Sequence, residues 1–121
     1  MTNFISGTAL TAAALNSAFN QLSINAQTGA YTLVLADQGG GVMVTSSSAN
    51  ALTIPPNSSV ALPVGTTVIV AQLGTGITTL TPGAGVSIVG TPGLKLRARY
   101  SGATLIQTAA NTWLAIGDLS A

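Results

Sequence analysis

From Tyr31 onward the chain is cut at roughly ten-residue intervals by clusters of Gly, Pro, Asn and Ser. Between the cuts lie short runs rich in Val, Ile, Leu and Thr. β-Branched side chains lose rotamer freedom in a helix and pack well on a pleated surface. The chain is thereby confined to many short strands joined by turns. Breaks at 37–41, 47–50, 55–59, 62–66, 74–76, 82–85, 90–93, 101–102 and 109–112 place about nine strands, at 31–36, 42–46, 51–54, 67–73, 77–81, 86–89, 94–100, 104–108 and 113–116. Even spacing of this kind indicates a β-sandwich or barrel. No helical pattern separates the strands, so antiparallel pairing is expected rather than a βαβ sheet. No internal repeat is evident.

Residues 1–25 follow a different grammar, with no Pro and a single Gly. Here the spacing predicts one short helix over 11–22, with Thr8 or Thr11 as N-cap. Leu15, Phe19 and Leu22 fall at i, i+4 and i+7 and form a narrow apolar stripe on an Ala-rich helix. A helix this short is marginal alone in water, so it needs something to lie against. We read residues 1–30 as an N-terminal anchor segment and 31–121 as the β-domain. Leu15, Phe19 and Leu22 are candidate partner contacts.

At 121 residues there is room for one modest core. Only five residues are charged: Asp37, Lys95, Arg97, Arg99 and Asp118. A soluble domain is usually about one quarter charged. A surface of hydroxyls, amides and alanines loses little on desolvation, because no ion gives up its water. Such a surface suits permanent burial against other subunits, so a homo-oligomer is expected. Net charge near zero removes any general attraction to nucleic acid or anionic lipid. No run of about 18 apolar residues marks a membrane span. The start, MTNFISGTALTAAAL, lacks the basic region of a signal peptide, which points to synthesis and assembly in the cytoplasm.

The segment 94–100, LKLRARY, alternates strictly. As one strand it turns Leu94, Leu96, Ala98 and Tyr100 to one side, and Lys95, Arg97 and Arg99 to the other. Every cation of the chain would then share one strand face. Three like charges at this spacing are mildly unfavourable without a counter-charge. Lys95, Arg97 and Arg99 are therefore candidate contacts to an acidic partner surface.

The catalytic inventory is nearly empty. There is no His or Cys, and the only carboxylates are Asp37 and Asp118. Ser-His-Asp and Cys-His arrangements cannot be built. The usual transition-metal ligands are missing. Gly39-Gly40-Gly41 precedes Val-Met-Val, without the Lys or helix of a phosphate loop. Gly83-Ala84-Gly85 precedes a strand pattern, so it does not match a nucleotide fingerprint. Asn57-Ser58-Ser59 fits a glycosylation triplet but reads as a polar loop. Asp37 and Asp118 adjoin glycines and read as turn residues. Trp113 reads as a core or interface aromatic. No enzyme activity, cofactor or metal is expected.

LTAAALNSAFNQL (10–22) resembles the helical segment near the N-terminus of many tailed-phage fibre proteins. YTLVLAD (31–37), ANALTIPPNSSVALPVGTTVIVAQLGTG (49–76) and PGLKLRARYSGATLIQTAANTWLAIGDLSA (92–121) look like a β-domain recurring in phage virion proteins. The resemblance implies a trimeric, non-enzymatic virion protein. A chain of this size looks more like a capsid decoration, cement or head-fibre protein than a full-length fibre. Docking on the major capsid protein or another virion protein through residues 1–30 would follow. A short tail-fibre or adaptor protein, or a module binding host glycan, is the alternative.

Overall fold

The computed structural model describes residues 22–121. Eleven strands and one 3-10 turn follow in order: β1 (Ile24–Gln27), β2 (Tyr31–Thr32), the turn (Leu35–Asp37), β3 (Gly41–Val44), β4 (Asn50–Ile54), β5 (Thr67–Gln72), β6 (Thr78–Pro82), β7 (Ser87–Val89), β8 (Lys95–Leu96), β9 (Gly102–Ala109), β10 (Thr112–Gly117) and β11 (Leu119–Ser120). Almost every strand expected from the turn spacing is present, most within two residues. β1 and β11 were not anticipated. β1 means that the β-structure begins inside the segment read from the sequence as an anchor. The expected helix over 11–22 lies outside the described residues, apart from Leu22.

The strands form two mixed sheets. A six-stranded sheet has the order β1-β3-β5-β9-β10-β7, and a five-stranded sheet the order β11-β8-β6-β4-β2. Through β6 the chain alternates between them, odd strands in the first and even strands in the second. Each pass lies parallel to the one before: β1, β3 and β5 stack in one sheet, β2, β4 and β6 in the other. The expectation of antiparallel pairing therefore holds only for β5–β9, β9–β10, β6–β8 and β8–β11. The reason is the crossover. Parallel neighbours need a long return connection, usually a helix. Here a strand of the opposite sheet makes that return.

The winding carries a repeat that residue identity conceals. Gly41 stands beside Ile69 and Asn50 beside Thr78, the same offset of 28 residues in both sheets. Within these strands only Val42/Val70, Leu52/Leu80 and Thr53/Thr81 are identical. What repeats is the alternation and the length of the turn between sheets. The turn after β5 sits directly on the turn after β3, with Gly76 N donating to Ser46 O at 2.8 Å. A Cβ on Gly74 would strike the Ser46 backbone, and one on Gly76 the Ser48 backbone. These glycines serve close stacking of successive turns.

One apolar core lies between the sheets. Val42, Val44, Val68, Val70, Leu105 and Trp113 enter from the six-stranded sheet, and Leu52, Ile54, Leu80, Leu96 and Leu119 from the five-stranded sheet. Strict alternation along β5 buries Val68, Val70 and Gln72 and turns Thr67, Ile69 and Ala71 outward. Gln72 is satisfied within the core. Its Nε2 donates to Gly74 O at 3.2 Å, and its Oε1 accepts Thr78 N–H at 3.1 Å.

A charge-free sheet face as candidate assembly surface

Apart from a polar edge where Thr112 stands beside Ser87, the outward side chains of the six-stranded sheet fall into three rows, because residues directly opposite on paired strands point to the same side. The first row is Ile24, Gly41, Ile69, Thr104 and Ile116. The second is Thr67, Ile106, Leu114 and Val89. The third is Ala26, Met43, Ala71 and Gly102. No member is charged, and only two carry a polar side chain, both Thr. Ile24, Ile116 and Val89 are each more than half exposed, at 57%, 55% and 54%. A shallow groove of about 580 Å³ opens at one corner, lined by Val89, Gly90, Thr91, Leu114, Ala115, Ile116 and Gly117.

The outer face of the five-stranded sheet is its opposite in character. Thr32, Thr53 and Thr81 form one row there, and Ala51, Thr79, Lys95 and Ser120 another. Hydroxyls and an ammonium stay hydrated at no cost. The apolar face of the other sheet gains by being covered.

This face was not recognised from the sequence, although the signal was there. TVIVA (67–71) and WLAI (113–116) are nearly continuous apolar runs rather than apolar/polar alternations. Such runs mark strands apolar on both sides.

The sequence-derived contacts are placed as follows. Leu15 and Phe19 lie outside the described residues. Leu22 is 40% exposed and lies over Gly41. A Cβ on Gly41 would come within 2.8 Å of Leu22 Cδ2 and 3.0 Å of the Met43 methyl, so the chain reaches β1 along the apolar face.

Lys95, Arg97 and Arg99 do not share one strand face, and Tyr100 does not pack inward. The strand ends at Leu96. Ser101 N donates to Ala98 O at 3.0 Å and closes a turn, while Tyr100 takes a left-handed conformation (φ 72°) and is 70% exposed. Lys95 remains on the outer face of the five-stranded sheet. Arg97 Nε pairs with Asp118 Oδ1 at 2.8 Å. Arg99 Nε donates to Leu73 O at 3.0 Å, and its guanidinium lies 4.8 Å from the Tyr100 ring centroid. The expectation failed because Asp118 captures this segment through groups far away in sequence. Its backbone oxygen accepts Arg97 N–H at 3.1 Å, and its Oδ2 accepts the Ser101 hydroxyl at 2.6 Å.

The hydrogen bond from Arg97, then that from Ser101, hold the Asp118 carboxyl below its usual range. A lowered folded-state pKa contributes stability above the unfolded value, about 3.9, and that contribution disappears as pH falls through the folded value. Both partners are exposed, so the effect is small. Between about pH 5 and pH 2 the melting temperature of the wild type should fall more than that of Asp118→Asn. Parallel melting curves of the two proteins would show that this pair does not contribute to acid stability.

Asp37 is a different kind of group, a carboxylate that is 5% exposed. Its Oδ2 accepts the Tyr31 hydroxyl at 2.7 Å and Val34 N–H at 2.9 Å, and its Oδ1 accepts Asn25 Nδ2 at 2.9 Å. Gln27 Nε2 donates in turn to Asn25 Oδ1 at 2.8 Å. Burial, with Asp37 beside it, raises the Tyr31 hydroxyl above its ordinary value. The cluster ties β1 and β2 to the 3-10 turn. Asp37 and Asp118 share no hydrogen-bond partner, so they do not form a paired acid and base. Among the described residues no group of three His, Cys, Asp or Glu side chains gathers to hold a metal. No helix among them is long and apolar enough to cross a membrane.

Comparison with protein-family models, curated proteins and solved structures finds no match to this chain.

Proposed function

We propose that this chain is a non-enzymatic structural subunit of a tailed-phage virion. In this reading it is a capsid decoration, cement or head-fibre protein that docks as a homotrimer through its N-terminal segment. It would be made and assembled in the host cytoplasm. The observation that carries the structural role is the uncharged apolar outer face of the six-stranded sheet. An enzyme presents converging polar groups in a concave site. The described residues instead place their two carboxylates in separate networks and present a broad sheet face. The phage assignment is supported by the phrases at 10–22, 31–37, 49–76 and 92–121.

Native mass measurement of the full chain at micromolar concentration should give a trimer. A monodisperse monomer that binds no hydrophobic dye would overturn the oligomeric reading. Imaging of virions with and without the protein tests its place, and decoration density on the capsomers is the expected result. Density on the tail would replace the head assignment with a fibre or adaptor role.

A further inference from the structure

We infer that copies of this chain meet through the outer face of the six-stranded sheet, with a second copy as its occupant. The inference rests on the oligomeric reading above and adds the surface.

In a contact between identical chains, side chains near the symmetry axis meet their own copies. A charged residue there would face a like charge. None of the five charged residues belongs to the three rows; Asp118, whose N–H donates to Gly102 O, and Arg99, on Leu73 O, stand at the border of the third. Lys95 lies on the opposite sheet, and Asp37 is buried. Arg97 is paired with Asp118, and Arg99 bonds Leu73 O beside the following turn. The centre of the face offers no charge with which to select an acidic or basic foreign partner, and electrostatic complementarity supplies much of the specificity between unlike chains. Self-association needs none.

The size suits the centre of a contact rather than the whole of one. Six strands about 4.8 Å apart and about five residues long give a projected area on the order of 400 Å². That is as large as the largest apolar patch on a typical monomer. It is about half of the roughly 800 Å² that each partner buries in a standard interface. The sheet thus forms the apolar centre of a contact, with the corner groove and the chain around Leu22 at its rim. Edge-to-edge association is a poor alternative, because β1 and β7 are only four and three residues long. Three rows side by side match the broad sheet faces of other copies, which in a trimer meet about the three-fold axis.

Replacing Ile69, in the middle of the first row, with Lys puts a like charge into every copy of the contact. Full-length Ile69→Lys should dissociate to monomer at concentrations where the wild type is assembled. The expected loss is at least about 100-fold in association. Thr53→Lys, on the outer face of the other sheet, should assemble like the wild type. Assembly of Ile69→Lys at wild-type strength, or disruption by Thr53→Lys alone, overturns the inference. Should Ile69→Lys fail to fold, Thr104→Cys in this cysteine-free chain gives a separate measurement, because a short thiol cross-linker should join copies into covalent dimers. An assembled Thr104→Cys protein that does not cross-link means that residues 1–21 or another partner cover the face, and overturns the inference. A monomeric wild type would instead remove the oligomeric reading itself.

Discussion

Trp113→Ala should lower unfolding stability by about 3–5 kcal/mol, the largest effect of any single truncation in this chain. Trp113 is 1% exposed and is the largest of the fully buried side chains. It enters from β10, between the β9 and β7 neighbours, and faces the apolar side chains of the five-stranded sheet. Removing the indole leaves a void that β10 cannot close. The strand is held on one side by six residue pairs to β9 and on the other by three to β7. A small domain has only about 5–15 kcal/mol in total, so the variant should be partly unfolded near physiological temperature. Urea denaturation followed by far-ultraviolet circular dichroism measures the loss. Trp113→Phe should retain more than half of the lost stability, because the ring still fills most of the space. A cost below about 1 kcal/mol for Trp113→Ala would mean that the core collapses around the gap.

The second large effect belongs to Asp37. Asp37→Ala should cost about 2–4 kcal/mol, since it leaves the Tyr31 hydroxyl, Val34 N–H and the Asn25 amide without this acceptor in a part-buried site. Asp37→Asn keeps the shape but turns an NH₂ toward donors, so it should be no better than about 1 kcal/mol milder. Tyr31→Phe removes one hydrogen bond and should cost about 1 kcal/mol. This order separates a hydrogen-bonded anchor from a merely buried carboxyl. If Asp37→Ala were neutral, the cluster would not hold β1 and β2 to the 3-10 turn. The same variants should leave assembly intact at temperatures where they stay folded, because no member of the cluster belongs to the apolar rows.

Asp37 also marks how far local reading reaches. Its position before Gly39–Gly41 identified a turn, and a turn is there. Nothing local showed that the carboxylate would be buried, because two of its donors come from β1 and β2. Asp118 illustrates the same point. It follows Gly117 and reads as a turn residue, yet it determines where the Lys95–Leu96 strand stops, by binding Arg97 and Ser101. The alternation of LKLRARY was a sound local signal that these non-local bonds overrode.

By itself the sequence determined where most of the strands fall and that they are β rather than helical, and it supplied neither His nor Cys. These follow from local properties: φ limits at Gly and Pro, the rotamer cost of β-branching, and the residue types present. Only the tertiary structure decided the parallel stacking, the 28-residue offset and the separation of an apolar outer face from a hydroxyl-rich one. Pairing direction depends on which sheet a strand joins after each turn. That choice is made by contacts between residues far apart in the chain, such as Val44 with Gln72 and Ile69 with Thr104. A period of two shows that a strand has two faces. Which of them meets the core is set by the strands on either side.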